Sequence, residues 1–273
     1  MNSYHPAHDD PQSGSPHHKQ RLAGESWRVL RIMSEFVEGL DTLERIPPAV
    51  SVFGSARTKP DSPVYAQAVE CGRLLANRGF AVITGGGPGI MEAANRGASE
   101  AGGVSVGLNI VLPMEQSPNP YQNVEIDFRY FFIRKVMFVK YARGFIIFPG
   151  GFGTMDEYFE SLTLIQTLKV VPFPVVLIGT RFWSGLLAWM RQTLDEEHQT
   201  ISPQDLDLFS VTDDVEEAVR IVHETHLGLR QAGSWLPRFA GDAEVRSGEG
   251  TRGGLGPRMG GLRGVDAAED API

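Results

Sequence analysis

Cysteine is nearly missing from this chain: Cys71 stands alone in 273 residues. An internal disulfide is excluded, and a reducing compartment fits. Cys71 falls in the apolar pattern of a predicted helix and reads as a small buried hydrophobe, not a nucleophile. Long apolar runs are missing too. The longest, Val170 to Gly179, is broken by Pro172 and Pro174 and is too short to cross a bilayer, so no membrane association is expected. Residues 1–25 carry Pro, His, Ser and charge without the apolar stretch of a signal peptide, and a cytoplasmic protein is expected. Positive charge is in deficit, 25 Lys and Arg against 33 Asp and Glu, for a net charge of −8. A nucleic-acid surface needs a net basic face, so that class is disfavoured. A small anion held by a few local donors remains open. Metal-ligand spacing is also absent: His5, His8, His17 and His18 sit in a tail without fixed geometry, and His223 and His226 read as surface residues of a terminal helix. Neither metal nor cofactor is expected.

What is present is 42% hydrophobic residues, enough for one substantial core. Composition predicts four zones: a disordered tail at 1–25, a helix within 26–46, an α/β domain over 49–228, and a flexible Gly-rich tail at 229–273. From Trp27 to Arg45, apolar residues recur at helical spacing, and Pro47 and Pro48 end the pattern. Beyond it, short apolar runs alternate with amphipathic stretches. Strands are predicted at 49–54, 80–84, 104–110, 144–149 and 174–179, with a weaker one at 124–128. Helices are predicted at 63–78, 89–101, 130–143, 154–169, 182–197 and 213–225. Strand runs without polar alternation suit a sheet buried on both faces. The expected fold is therefore a Rossmann-like, doubly wound parallel sheet with helices on both faces.

In such sheets ligands bind beyond the carboxyl ends of the strands. Three strands end in residues that admit a ligand to the backbone: Phe53-Gly54-Ser55, Thr84-Gly85-Gly86-Gly87-Pro88-Gly89, and Pro149-Gly150-Gly151-Phe152-Gly153-Thr154. The last two each open a helix, whose N-terminus offers N–H groups and partial positive charge to a phosphate. Tight turns alone would account for one glycine pair; two Gly-rich turns favour anion binding. A dinucleotide fingerprint fails, because Ile90 replaces its third glycine and the next strand ends at Asn109-Ile110 without the ribose-binding acid. Neither turn ends in the Gly-Lys-Ser/Thr of a nucleoside-triphosphate loop. A mononucleotide remains.

The helix after Gly153 carries Asp156, Glu157 and Glu160. Acids in a first turn complement the helix dipole, yet beside a phosphate they repel the ligand unless they serve its chemistry. Arg129, Arg134 and Lys135 precede the strand that leads to Pro149. On spacing alone, solvated basic residues are slightly favoured there.

Two motifs together change that balance. Arg134-Lys135 followed by Pro149-Gly150-Gly151-Phe152-Gly153-Thr154-Met155-Asp156-Glu157 resembles the PGGxGTxxE signature of the LOG family, the cytokinin riboside 5'-monophosphate phosphoribohydrolases often mislabelled lysine decarboxylases. Thr84-Gly85-Gly86-Gly87-Pro88-Gly89-Ile90-Met91-Glu92 resembles the family's second glycine motif. The likeness covers about residues 49–225, and the N-terminal helix is similar to that of longer bacterial members.

The resemblance implies hydrolysis of a nucleoside 5'-monophosphate to free base and ribose 5-phosphate. It places Gly150, Gly151, Phe152, Gly153 and Thr154 at the phosphate and makes Arg134 and Glu157 the catalytic pair. Lys135, Glu115, Ser55, Gly86 and Gly87 are implied substrate contacts. A homodimer or larger homo-oligomer is implied as well. Phe132 stands where short plant-type members carry a histidine, which leaves the preferred base open. Alternatives are a non-catalytic nucleotide or molybdenum-cofactor carrier and a broad purine and pyrimidine monophosphate nucleosidase. A true decarboxylase would bind pyridoxal phosphate; a colourless protein is expected. The expectation with most at stake is spatial: the Glu157 carboxylate and the Arg134 guanidinium meet over a sugar whose phosphate is gripped by the 150–154 turn, Arg134 orienting Glu157 and the ribose hydroxyls or phosphate through bidentate contacts.

Overall fold

The computed structural model describes residues 16–111 and 117–233. Glu115, the first tail up to residue 15 and the second from 234 onward lie outside the described residues. Seven strands form a single all-parallel sheet: β1 (Ala49–Phe53), β2 (Ala81–Thr84), β3 (Ser105–Ile110), β4 (Val124–Phe128), β5 (Ala142–Ile147), β6 (Val175–Ile178) and β7 (Phe209–Thr212). Their order across the sheet is β4-β3-β2-β1-β5-β6-β7. Five of the six connections carry helices, α2 (Pro63–Asn77), α3 (Ile90–Glu100), α4 (Phe131–Lys140), α5 (Phe152–Gln166) and α6 (Thr180–Trp189), the β3–β4 connection has none among the described residues, and α7 (Val215–His226) follows the last strand. An additional helix, α1 (Pro16–Leu43), precedes the first strand.

Both faces of the sheet are buried, and successive strand residues show it. Val50 and Val52 of β1, with Ile146 of β5 and Phe148 just beyond it, pack under α2, α3 and α7. Ala49 and Phe53, with Phe145 and Ile147, pack on the opposite face, under α1, α4, α5 and α6. This period of two, with apolar residues on both sides, is why the strands read as continuous apolar runs. Local chemistry places the helix ends. Ser62 accepts from Tyr65 N–H with Pro63 at the first position of α2, and Asp214 accepts from Glu216 N–H at the start of α7.

Three differences from the sequence reading have physical causes. α1 begins at Pro16, inside the stretch expected to be disordered. Residues 16–25 lack an apolar stripe but contain Lys, Gln, Arg, Leu and Ala, good helix formers with Pro at the start. Periodicity reports burial, not propensity. β7 was not expected: Phe-Ser-Val-Thr is short, polar and mostly half-buried at the sheet edge. α6 ends at Trp189 and continues as a π-helical stretch, Met190–Glu197, where one uniform helix was expected.

The strand order places the site. From β1 the chain winds outward through β2, β3 and β4, then crosses back to lay β5 against the other side of β1. The reversal falls between β1 and β5, where an open α/β sheet has its ligand crevice. Backbone bonds close the two strand ends on each other: Phe148 N–H donates to Phe53 O at 2.8 Å, and Ser55 N–H donates to Pro149 O at 3.0 Å.

Candidate active site

The turn after β5 lies at this reversal. Gly151 precedes α5 and no side chain caps that helix. A Cβ placed on Gly151 or Gly153 would meet no atom within 4 Å, whereas one on Gly150 would lie 2.1 Å from Thr154 Oγ1. The glycines therefore divide by role. Gly150 makes room for the buried Thr154 side chain, while Gly151 and Gly153 are exposed and border open space at a helix N-terminus. Phe152 between them is 95% exposed, so it contributes backbone here and no packing.

The turn after β2 is built differently. Gly86 has φ +72°, and a Cβ there would lie 1.7 Å from Asn109 Oδ1. Its N–H donates to Thr84 Oγ1 at 3.0 Å, and its carbonyl accepts from Asn119 Nδ2 at 3.0 Å and Gln122 Nε2 at 2.9 Å. Asn119 also donates to Gly87 O at 3.1 Å and to Asn95 Oδ1 at 3.0 Å. Gly86 and Gly87 are buried, with their carbonyls bonded inside the protein. They hold the shape of the turn. The asparagines and Gln122 were not singled out from sequence; a polar residue on a loop carries no periodic signal. Ser55 stands between the two turns, half-buried, its carbonyl accepting from Ile90 N–H at 3.1 Å.

α4 brings the cations. Arg134 is largely buried; its guanidinium carbon lies 5.0 Å from the Phe131 ring and 5.6 Å from the Phe138 ring. Its Nη1 donates a long bond, 3.5 Å, to Leu108 O and would be 3.6 Å from a Cβ on Gly85. The arginine thus reaches the turn after β2. Burial depresses its pKa, against the opposing pull of Glu157 and Asp156. Its Nε is buried without a hydrogen-bond partner.

α5 brings the acid. Glu157 is 6% exposed, and one carboxylate oxygen, Oε2, is buried without a partner. Desolvation lifts its pKa to about 7; Lys135 and Arg134 pull it down, Glu160 and Asp156 push it up. Lys135 Nζ lies 2.6 Å from Glu160, 2.8 Å from Asp156 and 3.6 Å from Glu157. Burial lowers the ammonium pKa, but the hydrogen bonds to Asp156 and Glu160 outweigh it and leave it raised. One lysine therefore gathers the three acids of the first α5 turns.

The expected bidentate contact between Arg134 and Glu157 is absent: among the described residues no hydrogen bond or ion pair joins them. They interact through charge only, and Lys135 is the cation nearest the carboxylate. Arg134 instead lies near the Phe131 and Phe138 rings and donates toward Leu108 O. Phe132 is half exposed.

A groove of about 520 Å³ runs along the exposed flank of α5, lined by Lys135, Phe152, Met155, Asp156, Phe159, Glu160 and Thr163. A second cavity of about 300 Å³ includes Pro174, Phe209 and Arg230, at the amino ends of β6 and β7 and so at the opposite edge of the sheet. Among the described residues no cluster of three His, Cys, Asp or Glu could hold a metal, and no helix is long and apolar enough to cross a membrane.

Fold and site together define a Rossmann-like α/β protein with an uncapped, glycine-lined helix N-terminus at the strand-order reversal and a buried acid one turn further on. The family model described as "Possible lysine decarboxylase" matches residues 91–222. A cytokinin riboside 5'-monophosphate phosphoribohydrolase of Mycobacterium tuberculosis is 29% identical over 58% of this chain and 87% of the relative. An uncharacterized protein of Archaeoglobus fulgidus is 31% identical over 48% of this chain and 85% of its own length. A pyrimidine/purine nucleotide 5'-monophosphate nucleosidase of Escherichia coli is 30% identical over half of this chain and 32% of the relative. Among solved structures, the molybdenum cofactor carrier protein of Chlamydomonas reinhardtii is 26% identical over 65% of this chain and 96% of that one, with a TM-score of 0.48. The chain matches, at the level of family, the LOG-type phosphoribohydrolases and related nucleosidases.

Proposed function

We propose that this protein hydrolyses the N-glycosidic bond of a nucleoside 5'-monophosphate, AMP or a cytokinin riboside 5'-monophosphate, to free base and ribose 5-phosphate. The observation that carries the reading is Glu157: buried, with an unpartnered oxygen and a pKa near 7, one helical turn from the open cradle at Gly151 and Gly153.

The backbone at 151–153 receives the 5'-phosphate, helped by the α5 N-terminus. That grip positions the sugar, and its binding energy is expressed in rate. As the C1'–N bond breaks, positive charge grows on the ribose, and the Glu157 carboxylate stabilises it. A carboxylate titrating near neutrality also takes the proton of the attacking water. Arg134, with its free Nε, serves the ribose hydroxyls or phosphate. Lys135 keeps the acid cluster from repelling the ligand. Glu115, Ser55, Gly86 and Gly87 complete the proposed contacts, the last two through the shape of their turn. The proposed setting is a cytoplasmic homodimer or larger homo-oligomer, with the 49–228 domain as its catalytic part.

Incubation with AMP, GMP, CMP and isopentenyl-adenosine monophosphate, followed by chromatography, tests the reading and ranks the bases. Free base with ribose 5-phosphate is expected from the wild type. Nucleotide retained but unchanged would replace the hydrolase with a carrier. Equal turnover of purines and pyrimidines would make it a broad nucleosidase.

A further inference from the structure

α1 is not part of the strand-helix alternation, yet it holds the helix that carries Arg134. Glu35, in the middle of α1, is 4% exposed although it is an acid. Its Oε2 accepts from two successive backbone N–H groups, Arg129 at 3.0 Å and Tyr130 at 3.4 Å. Tyr130 is the residue that starts α4, and no side chain of its own caps that helix. Glu35 thus supplies from a distant segment the carboxylate that a capping box draws from within a helix. Arg129, itself mostly exposed, faces the second oxygen at 3.7 Å. At the far end of α4, Tyr141 Oη donates to Leu40 O of α1 at 3.1 Å. Between these points Gly39 lets α1 approach so closely that a Cβ there would lie 3.0 Å from Met137. α4 is therefore gripped at its start, middle and end by one neighbouring helix. Arg134 and Lys135 lie one turn inside the gripped start, and Arg134 N–H bonds back to Tyr130 O at 3.4 Å.

We propose that Glu35 is a positioning residue for the candidate site, fixing the first turn of α4 so that Arg134 is held over the reacting sugar. The inference rests on the hydrolase reading. Because Oε2 alone receives both N–H groups, a glutamine amide oxygen in its place keeps both bonds; alanine keeps neither.

The experiment compares Glu35→Ala and Glu35→Gln in the full chain, with AMP as substrate, alongside thermal midpoints and hydrogen exchange of amides 129–135. The expected result is a loss in kcat of about 10-fold or more for Glu35→Ala, with faster exchange at 129–135 and slow exchange retained in the sheet, as displacement of a positioned group predicts. Glu35→Gln is expected to stay within about threefold of wild type, since its geometry is kept. Wild-type kcat in a folded Glu35→Ala protein would overturn the inference. So would a folded Glu35→Gln protein as impaired as alanine. If Glu35→Ala does not fold, the glutamine variant decides alone, in the same two directions. A wild type inactive on every nucleotide would refute the hydrolase reading instead; unchanged exchange at 129–135 in Glu35→Ala would then overturn the positioning claim, and local loss of protection would uphold the grip on α4.

Discussion

Glu157 is the buried acid of the candidate site, and its environment dictates how it must respond to pH. Burial raises its pKa from 4.5 to about 7. A carboxyl whose folded pKa lies above its unfolded value favours the folded state at low pH, when both forms are protonated. That contribution is lost as pH climbs from about 4.5 through about 7. The gap corresponds to roughly 3 kcal/mol of strain on the charged form at most. Glu157→Gln is therefore expected to raise the thermal midpoint above wild type at pH 8, by several degrees for a domain of this size, with the difference closing below pH 5. Scanning calorimetry at the two pH values checks it; an equal offset at both would contradict the buried acid. The same substitution is expected to cut base release by about 100-fold or more while AMP still binds. If the carboxylate form is the active one, wild-type kcat rises with pH and levels off above about 7. Lys135→Met removes a cation 3.6 Å away that holds the acid down, so the inflection should move upward. A pH-rate profile that stays in place would mean that Lys135 has no electrical hold on Glu157.

At the scale of turns and helices, the two glycine segments look alike in sequence and act differently in space. Gly153 borders open space, so Gly153→Ala should fold at least as well as wild type, alanine being the better helix former. It should nonetheless weaken ribose 5-phosphate binding by roughly tenfold, about 1.4 kcal/mol, because the methyl group occupies the cradle. Gly86→Ala is the reverse case. Positive φ and a Cβ 1.7 Å from Asn109 Oδ1 predict a loss of about 2 kcal/mol or more in urea unfolding. Calorimetric titration and denaturant melts on the pair separate ligand glycine from structural glycine. If Gly153→Ala binds the sugar phosphate as tightly as wild type, the phosphate does not lie in this turn. The contrast also marks what could be read ahead of the structure. β1, β2, β3, β5 and β6 stood out because both faces are buried, β4 only weakly because exposed Glu125 and Asp127 alternate with its buried residues, and the two Gly-rich turns because they follow β2 and β5. The partners of the turns, Asn95, Asn119 and Gln122, were invisible: contacts that span 24 to 36 residues leave no local pattern. Glu35 was hidden for the same reason, 94 residues from the N–H it holds. The direct partners of the Arg134 side chain, the Phe131 and Phe138 rings and Leu108 O, were likewise not legible, although its charge does act on Glu157.

For the molecule as a whole, the reversal of strand order is the organising feature. Cradle and acid hang on α5, after β5, while the arginine hangs on α4, after β4 at the far edge of the other half of the sheet. A ligand that touches both ties together segments whose only sheet connection runs through β1. Binding confined to the folded state must then stabilise the whole domain, not one loop. At a hundredfold excess over Kd the gain is about 2.7 kcal/mol, or a rise of roughly 5–10 °C in thermal midpoint. The ranking among ligands carries more information than the size. On the proposed reading, in which the 151–153 backbone receives the phosphate, ribose 5-phosphate and AMP at equal concentration should both raise the midpoint, and adenosine should leave it nearly unchanged. Glu157→Gln should keep the AMP response, since nothing in the cradle changes and the nucleotide is no longer consumed. Thermal shift assays with the three ligands on both proteins check this. Should adenosine match AMP while ribose 5-phosphate does nothing, the base rather than the phosphate would be the anchor, and the reversal between β1 and β5 would need a different ligand.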